Sequence, residues 1–104
     1  MGKNDYFKKS IKISCTRQDI SPKRARFDEI ENLVTINIKN HLKEGVDLEC
    51  LKILNIIHQT VIPLGIKYSE QLDLYPGGNR LDRVVVSFDK KSYTLLNQKL
   101  IGDK

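Results

Sequence analysis

Residues 48–62, LECLKILNIIHQTVI, constrain this chain more than any other stretch. Leu48, Leu51, Leu54, Ile57, Val61 and Ile62 recur at helical spacing, and Ile53 and Ile56 widen the apolar face. Asp47 is placed as N-cap, since its carboxylate can accept from a backbone amide that the first turn leaves without a partner. Pro63 stops the helix, having no N–H to donate and clashing with the preceding turn. So apolar a helix has to be the central buried element, and the rest of the chain must pack around it. At 104 residues the chain fits one domain, because a second core would be too small to hold itself together. Residues 1–9 read as a basic leader.

Around that helix the signals are local. Ile11, Ile13 and Cys15 alternate with Lys12 and Ser14, the two-residue period of a half-buried strand. Ser21 and Pro22 suit a helix entrance, and Gly45 suits an exit. Between them Phe27, Ile30, Val34, Ile38, His41 and Leu42 form a stripe at spacings of three and four. A rival reading exists over residues 34–39. There Val34, Ile36 and Ile38 alternate with polar residues, and their β-branched side chains are stiff in a helix and comfortable in a strand. The longer stripe favours the helix. Residues 68–74 are read as a short third helix capped by Ser69, with Leu72 against the core. Pro76, Gly77, Gly78 and Asn79 mark a loop. Residues 83–88 then read as a strand, followed by a turn through Asp89, Lys90, Lys91 and Ser92 into a second strand over 93–96, giving a hairpin with a basic tip.

Composition excludes several classes. With 39% apolar and 30% charged residues, the chain can form both a core and a solvated shell. No segment approaches the ~20 apolar residues of a membrane span, since residues 48–66 are interrupted by Glu49, Lys52, Asn55, His58, Gln59 and Pro63. The N-terminus has no apolar stretch resembling a signal-peptide core, so a cytoplasmic protein is expected, with Cys15 and Cys50 as reduced core thiols. Seven aromatics and no Trp make no cluster dense enough to stack single-stranded bases.

Catalytic and metal chemistry find little support. Cys50 and His58 on one helix would stand about 12 Å apart along its axis, too far to share a zinc ion whose ligands lie about 2.0–2.3 Å from the metal. Cys15 and His41 have no ligand spacing. Asp28, Glu29 and Glu31 fall in the first turns of the expected helix, where acids complement its dipole. The Pro-Gly-Gly-Asn-Arg stretch lacks the spacing and lysine of a phosphate-binding loop. Neither catalysis nor a cofactor or metal is expected.

Charge is the stronger signal. The first 26 residues hold eight Lys and Arg against two acids, residues 27–76 carry eight acids against four Lys, and the remainder is again basic, for a net charge of +5. Two basic ends around an acidic centre suggest a polyanionic partner. Lys8, Lys9, Lys12, Arg17, Lys23, Arg24 and Arg26 form one group, and Arg80, Arg83, Lys90 and Lys91 the other. Lys23, Arg24 and Arg26 would oppose the dipole of a helix that they begin, a cost that an external anion would relieve.

This element order, a short strand, helix, apolar helix, short helix and hairpin, is similar to that of winged helix-turn-helix DNA-binding proteins over about residues 20–100. The resemblance implies an α+β fold: a small winged-helix-like domain with two or three helices, a short N-terminal strand and a C-terminal β-hairpin as the wing. In that family the helix before the wing enters the major groove, yet the matching residues 63–74 include Glu70 and Asp73 beside Lys67 and Gln71. Acids there would be repelled by phosphates. The expectation is therefore sequence-specific binding of double-stranded DNA through the basic N-terminal segment and the wing. Small basic proteins of this kind resemble the relaxosome accessory factors of plasmid transfer of the TcpK type, and one short recognition surface implies a homodimer or a protein partner. The alternative is a small phage-like or plasmid-like protein that binds another protein without touching DNA.

Overall fold

The computed structural model describes residues 5–102. Helix α1 (Tyr6–Arg17) leads through a single 3₁₀ turn (Pro22–Arg24) into strands β1 (Ala25–Ile30) and β2 (Leu33–Lys39). Helix α2 (Leu48–Val61), strands β3 (Ser69–Leu74) and β4 (Leu81–Asp89), and helix α3 (Lys90–Gly102) follow. The strands form one antiparallel sheet in the order β1-β2-β4-β3. The fold is thus α+β, but its element order differs from the expected one. Residues 27–42 give a β-hairpin and no helix, and residues 69–74 are a strand, so the helix-turn-helix pair does not form among the described residues. The C-terminal hairpin is β3–β4, earlier in the chain than expected.

Each difference has a local cause. Residues 11–15 are helical because Phe7, Ile11 and Cys15 recur every four residues and are fully buried, whereas Ile13, which a strand would place beside Ile11, is 53% exposed. Asp5 caps this helix by accepting from the Lys8 amide at 3.0 Å. Of the expected leader, residues 1–4 lie outside the described residues, and Tyr6 to Lys9 begin α1. Ser21 and Pro22 do start a helical turn, but it ends at Arg24. From there the alternation of Val34, Ile36 and Ile38 prevails over the helical stripe, because two neighbouring strands satisfy both edges of β2. Asp28 and Glu29 consequently lie on β1, not in a helix's first turn, and Gly45 lies in the loop before α2. At the C-terminus, Asp89 accepts from the Ser92 amide at 2.7 Å and starts a helix, since Tyr93, Leu96 and Leu100 follow at helical spacing toward the core. Lys90 and Lys91 therefore open α3 and sit on no hairpin tip.

Helix α2 forms as read: the Asp47 carboxylate accepts from the Cys50 amide at 2.7 Å, and the helix ends at Val61, two residues before Pro63. Strand β4 likewise contains the expected residues 83–88. The buried residues of β2 and β4 alternate, and all share one side: Val34, Ile36, Ile38, Val84, Val86 and Phe88. That side carries the core with Phe7, Ile11, Ile53, Ile57 and Leu96 from the three helices. Among the described residues no helix lies over the opposite side of the sheet. Both cysteines are free and buried, and burial pushes their thiols up. Among the described residues no helix is long and apolar enough to cross a membrane.

Phe7 is the keystone between helices and sheet, meeting Phe27, Phe88 and Tyr93 edge-on at centroid distances of 6.2, 5.7 and 5.9 Å. Beside it the Tyr93 hydroxyl donates to the buried Asp5 carboxylate at 2.7 Å, and burial together with that carboxylate raises the phenol far above its usual range. The Phe7→Ala variant is expected to lose about 3–5 kcal/mol of stability in urea unfolding, whereas Ile13→Ser should change it by less than about 0.5 kcal/mol. Equal losses at the two sites would contradict the helical placement of residues 6–17.

Candidate functional site

The helix-free side of the sheet carries Arg26, Asp28 and Ile30 on β1, Leu33, Thr35, Asn37 and Lys39 on β2, Arg83, Val85, Ser87 and Asp89 on β4, and Ser69, Gln71 and Asp73 on β3. Strand register brings distant residues together: Arg26 lies opposite Asn37, and Lys39 opposite Arg83. At this end of the sheet Lys23, Arg24, Arg26, Asn37, Lys39, His41 and Arg83 line a groove of about 390 Å³. Among the described residues no carboxylate lines it, although Asp28 and Asp82 contact two of its cations. Arg26 is largely exposed and leans on Asp28 at 3.2 Å, while Arg83 contacts Asp82 at 3.2 Å. Among the described residues neither the Lys23 nor the Lys39 ammonium has an ion-pair partner.

Arg24 has a different role. Its guanidinium donates to both oxygens of Asp47 at 3.0 Å each, to Glu49 at 2.9 Å and to the Lys39 carbonyl. The side chain is only 11% exposed, so it is a strut rather than a phosphate contact. It ties the 3₁₀ turn and the end of β2 to the N-terminus of α2. Asp47 also accepts from the His41 amide at 2.8 Å, and the Arg24 guanidinium with these amides holds its carboxyl well below the ordinary range. Buried Asn40 completes the frame by accepting from the Asp47 amide at 2.8 Å and donating to the carbonyls of Gly45 and Leu81 at 2.9 and 3.0 Å. His41 is thereby held at the rim of the groove.

The remaining expected cations are dispersed. Lys8 lies over the Phe27 ring, and Lys12 reaches the Pro22 carbonyl at 3.5 Å, both on the α1 flank of β1. Lys9 and Arg17 line a separate depression with Tyr6, Ile13 and Leu100. Arg80 stacks on Tyr75 in the β3–β4 loop. Lys90 pairs with Glu29 at 2.8 Å, which lowers that carboxyl to about 2, and Lys91 lines another surface with Thr94, Leu95 and Gln98. Of the eleven cations singled out from sequence, then, Lys23, Arg24, Arg26 and Arg83 come together. Sequence reasoning missed Asn37, Lys39 and His41, which lay within the acidic middle. The alternation of residues 34–38 was the signal that would have put Lys39 on a strand beside the basic cluster.

Compared with known proteins, the chain matches no protein-family model, no curated protein and no solved structure.

Breaking the strut tests its structural role. The Arg24→Met variant leaves Asp47 without its counter-charge and is expected to cost about 3–5 kcal/mol. A carboxyl whose folded pKa lies below its unfolded value of about 3.9 contributes stability above that pH, lost as pH falls through the folded value. The thermal midpoint should therefore drop between pH 5 and pH 2.5, and Asp47→Asn should flatten that drop. An unchanged acid profile in Asp47→Asn would contradict the assignment.

Proposed function

We propose that this protein binds double-stranded DNA, with the cationic end of the open sheet face set against the phosphate backbone. The supporting observation is the groove itself: Lys23, Arg26, Lys39 and Arg83 converge on it from three strands and a turn, with no carboxylate in its lining among the described residues. Like charges gathered on one face repel one another, and a polyanion relieves that repulsion. The open face has no aromatic residue among Arg26, Thr35, Asn37, Lys39, Arg83, Val85, Ser87 and Gln71. It offers no platform for stacking unpaired bases, and this favours a duplex read through its backbone. Asn37, beside Arg26 and Arg83, supplies an amide for a base edge or a phosphate oxygen.

This reading moves the contact surface. It leaves α1 and the start of α3 out of the interface, and it replaces the wing with the β1, β2 and β4 ends of the sheet. Four phosphate contacts imply a slope of about −3.6 in log affinity against log salt for each groove that engages the duplex, or on the order of a 100-fold loss per groove between 50 and 200 mM. Fluorescence anisotropy with a labelled duplex measures this directly. Charge reversal in Arg26→Glu, Lys39→Glu or Arg83→Glu should weaken binding about 10-fold or more each and make the slope shallower, while Lys91→Glu should change it little. Salt-independent binding, or none at micromolar protein, would overturn the reading. An interaction captured from lysate that survives nuclease treatment and needs these same cations would assign the groove to an acidic protein instead.

A further inference from the structure

The two edges of the sheet are unlike. On β1, three of the six residues, Arg26, Asp28 and Glu29, are charged, as expected of an edge kept from pairing. On β3 the two charges already have partners: Glu70 meets His58 of α2, and Asp73 accepts from the Gln71 amide at 2.7 Å. Beside the uncharged Ser69 and Gln71, Leu72 is 63% and Leu74 54% exposed, on a strand whose outer backbone edge has no neighbouring strand among the described residues. β3 contains neither lysine nor proline, the residues that commonly block edge pairing. The register shift beside Asp73 and Leu74 leaves the extra residue, Asp82, on β4, so the alternation of β3 is unbroken.

Helix α2 extends this apolar strip. Its N-terminus is tied near the end of β2 by Arg24 and Asp47, and its last turns reach the start of β3 through His58 and Glu70. α2 therefore runs antiparallel to β3. Leu51, two turns before His58, lies on the same side of the helix, toward the end of β3 that holds Leu72 and Leu74, and is 48% exposed.

We infer that β3 pairs antiparallel with β3 of a second copy of this chain, giving a two-fold dimer with one continuous eight-stranded sheet. Self-complementarity selects the partner. In an antiparallel pair related by a two-fold axis, facing residues share one side of the sheet, so their numbers sum to an even value. Centring the axis on Leu72 sets Leu72 against the second copy's Leu72, Gln71 against Asp73, and Glu70 against Leu74. No acid then faces an acid, the leucines meet on the helix side, and amide faces carboxylate on the open side. The axis also keeps the cationic ends apart, which matters for a chain of net charge +5.

The dimer would present both open faces on the same side. Residues on the two β1 strands are then separated by seven strand spacings, about 34 Å along the sheet, close to one turn of B-form DNA. This spacing rests on the duplex-binding reading, whereas the dimer does not.

Sedimentation equilibrium of the full chain separates the two claims. The wild type is expected at twice its 12.0 kDa mass at tens of micromolar, and Leu72→Lys, an exposed change that spares the core, at the monomer mass with unchanged circular dichroism. Under mild oxidation Leu72→Cys should give a covalent dimer, and Ile30→Cys on β1 should not. A monomeric wild type, a dimer unaffected by Leu72→Lys, or cross-linking through Ile30→Cys alone would overturn the inference. If the dimer forms as described but shows no salt-dependent affinity for duplex DNA, the functional reading fails and the interface stands. If Leu72→Lys is monomeric and still binds duplex, its salt slope should fall to about half that of the wild type.

Discussion

The Arg24–Asp47 contact is where the three parts of this molecule are joined. One carboxylate caps α2, accepts from the His41 amide and neutralises Arg24, while the same guanidinium holds the last carbonyl of β2. A mostly buried pair of this kind stabilises only when its remaining donors and acceptors are satisfied, and here backbone amides and a carbonyl satisfy them. The consequence for the surface is as important as that for the core. With Arg24 and Asp47 neutralising each other at the floor, the neighbouring Lys23, Arg26, Lys39 and Arg83 are left as the outward charge of the groove. The position that reads as the centre of a basic cluster is thus what shapes the site without being its contact.

The three helices on one side of a four-stranded sheet leave the other side to water, and polar side chains alternate there with the buried β-branched ones. A rigid strand scaffold fixes side-chain directions better than a loop does, so cations placed by register form a persistent pattern. Lys39 and Arg83 are neighbours because β2 pairs with β4, a long-range pairing set by the hydrophobic register on the other face. The acidic middle of the chain therefore contributes a cation to the basic surface. Four of its acids go elsewhere, Asp47 and Glu49 to Arg24, Glu29 to Lys90, and Glu70 to His58, while Asp28 and Asp73 stay on the open face, Asp28 against Arg26.

Those elements whose signal is local were legible in the sequence. Helix α2 has its cap, its apolar period and its proline stop within the seventeen residues 47–63, and β4 is a β-branched run after a glycine turn. Elements decided by tertiary pairing were not. The pattern of residues 27–42 fits both periods, and only the two neighbouring strands of β2 settle it. At Ile11, Ile13 and Cys15 a strand-like alternation hid the four-residue spacing from Phe7, because exposed Ile13 mimics a second buried position. At the C-terminus, a lysine turn and a helix start look alike until the Asp89 cap and the Tyr93–Leu96 spacing are weighed together. The site followed suit: the cations of the 3₁₀ turn, β1 and β4 were visible, but their companions on β2 and just beyond required the register.

We propose that the open sheet face, and not the helices, is the surface that would meet duplex DNA. Backbone amide chemical-shift mapping of the labelled protein during addition of a short duplex tests it residue by residue. The shifts are expected to concentrate at Lys23, Arg26, Asn37, Lys39, His41 and Arg83, with residues along α1 and α3 unmoved. Shifts concentrated on α1 at Lys9 and Arg17, or on α3 at Lys91, would contradict it.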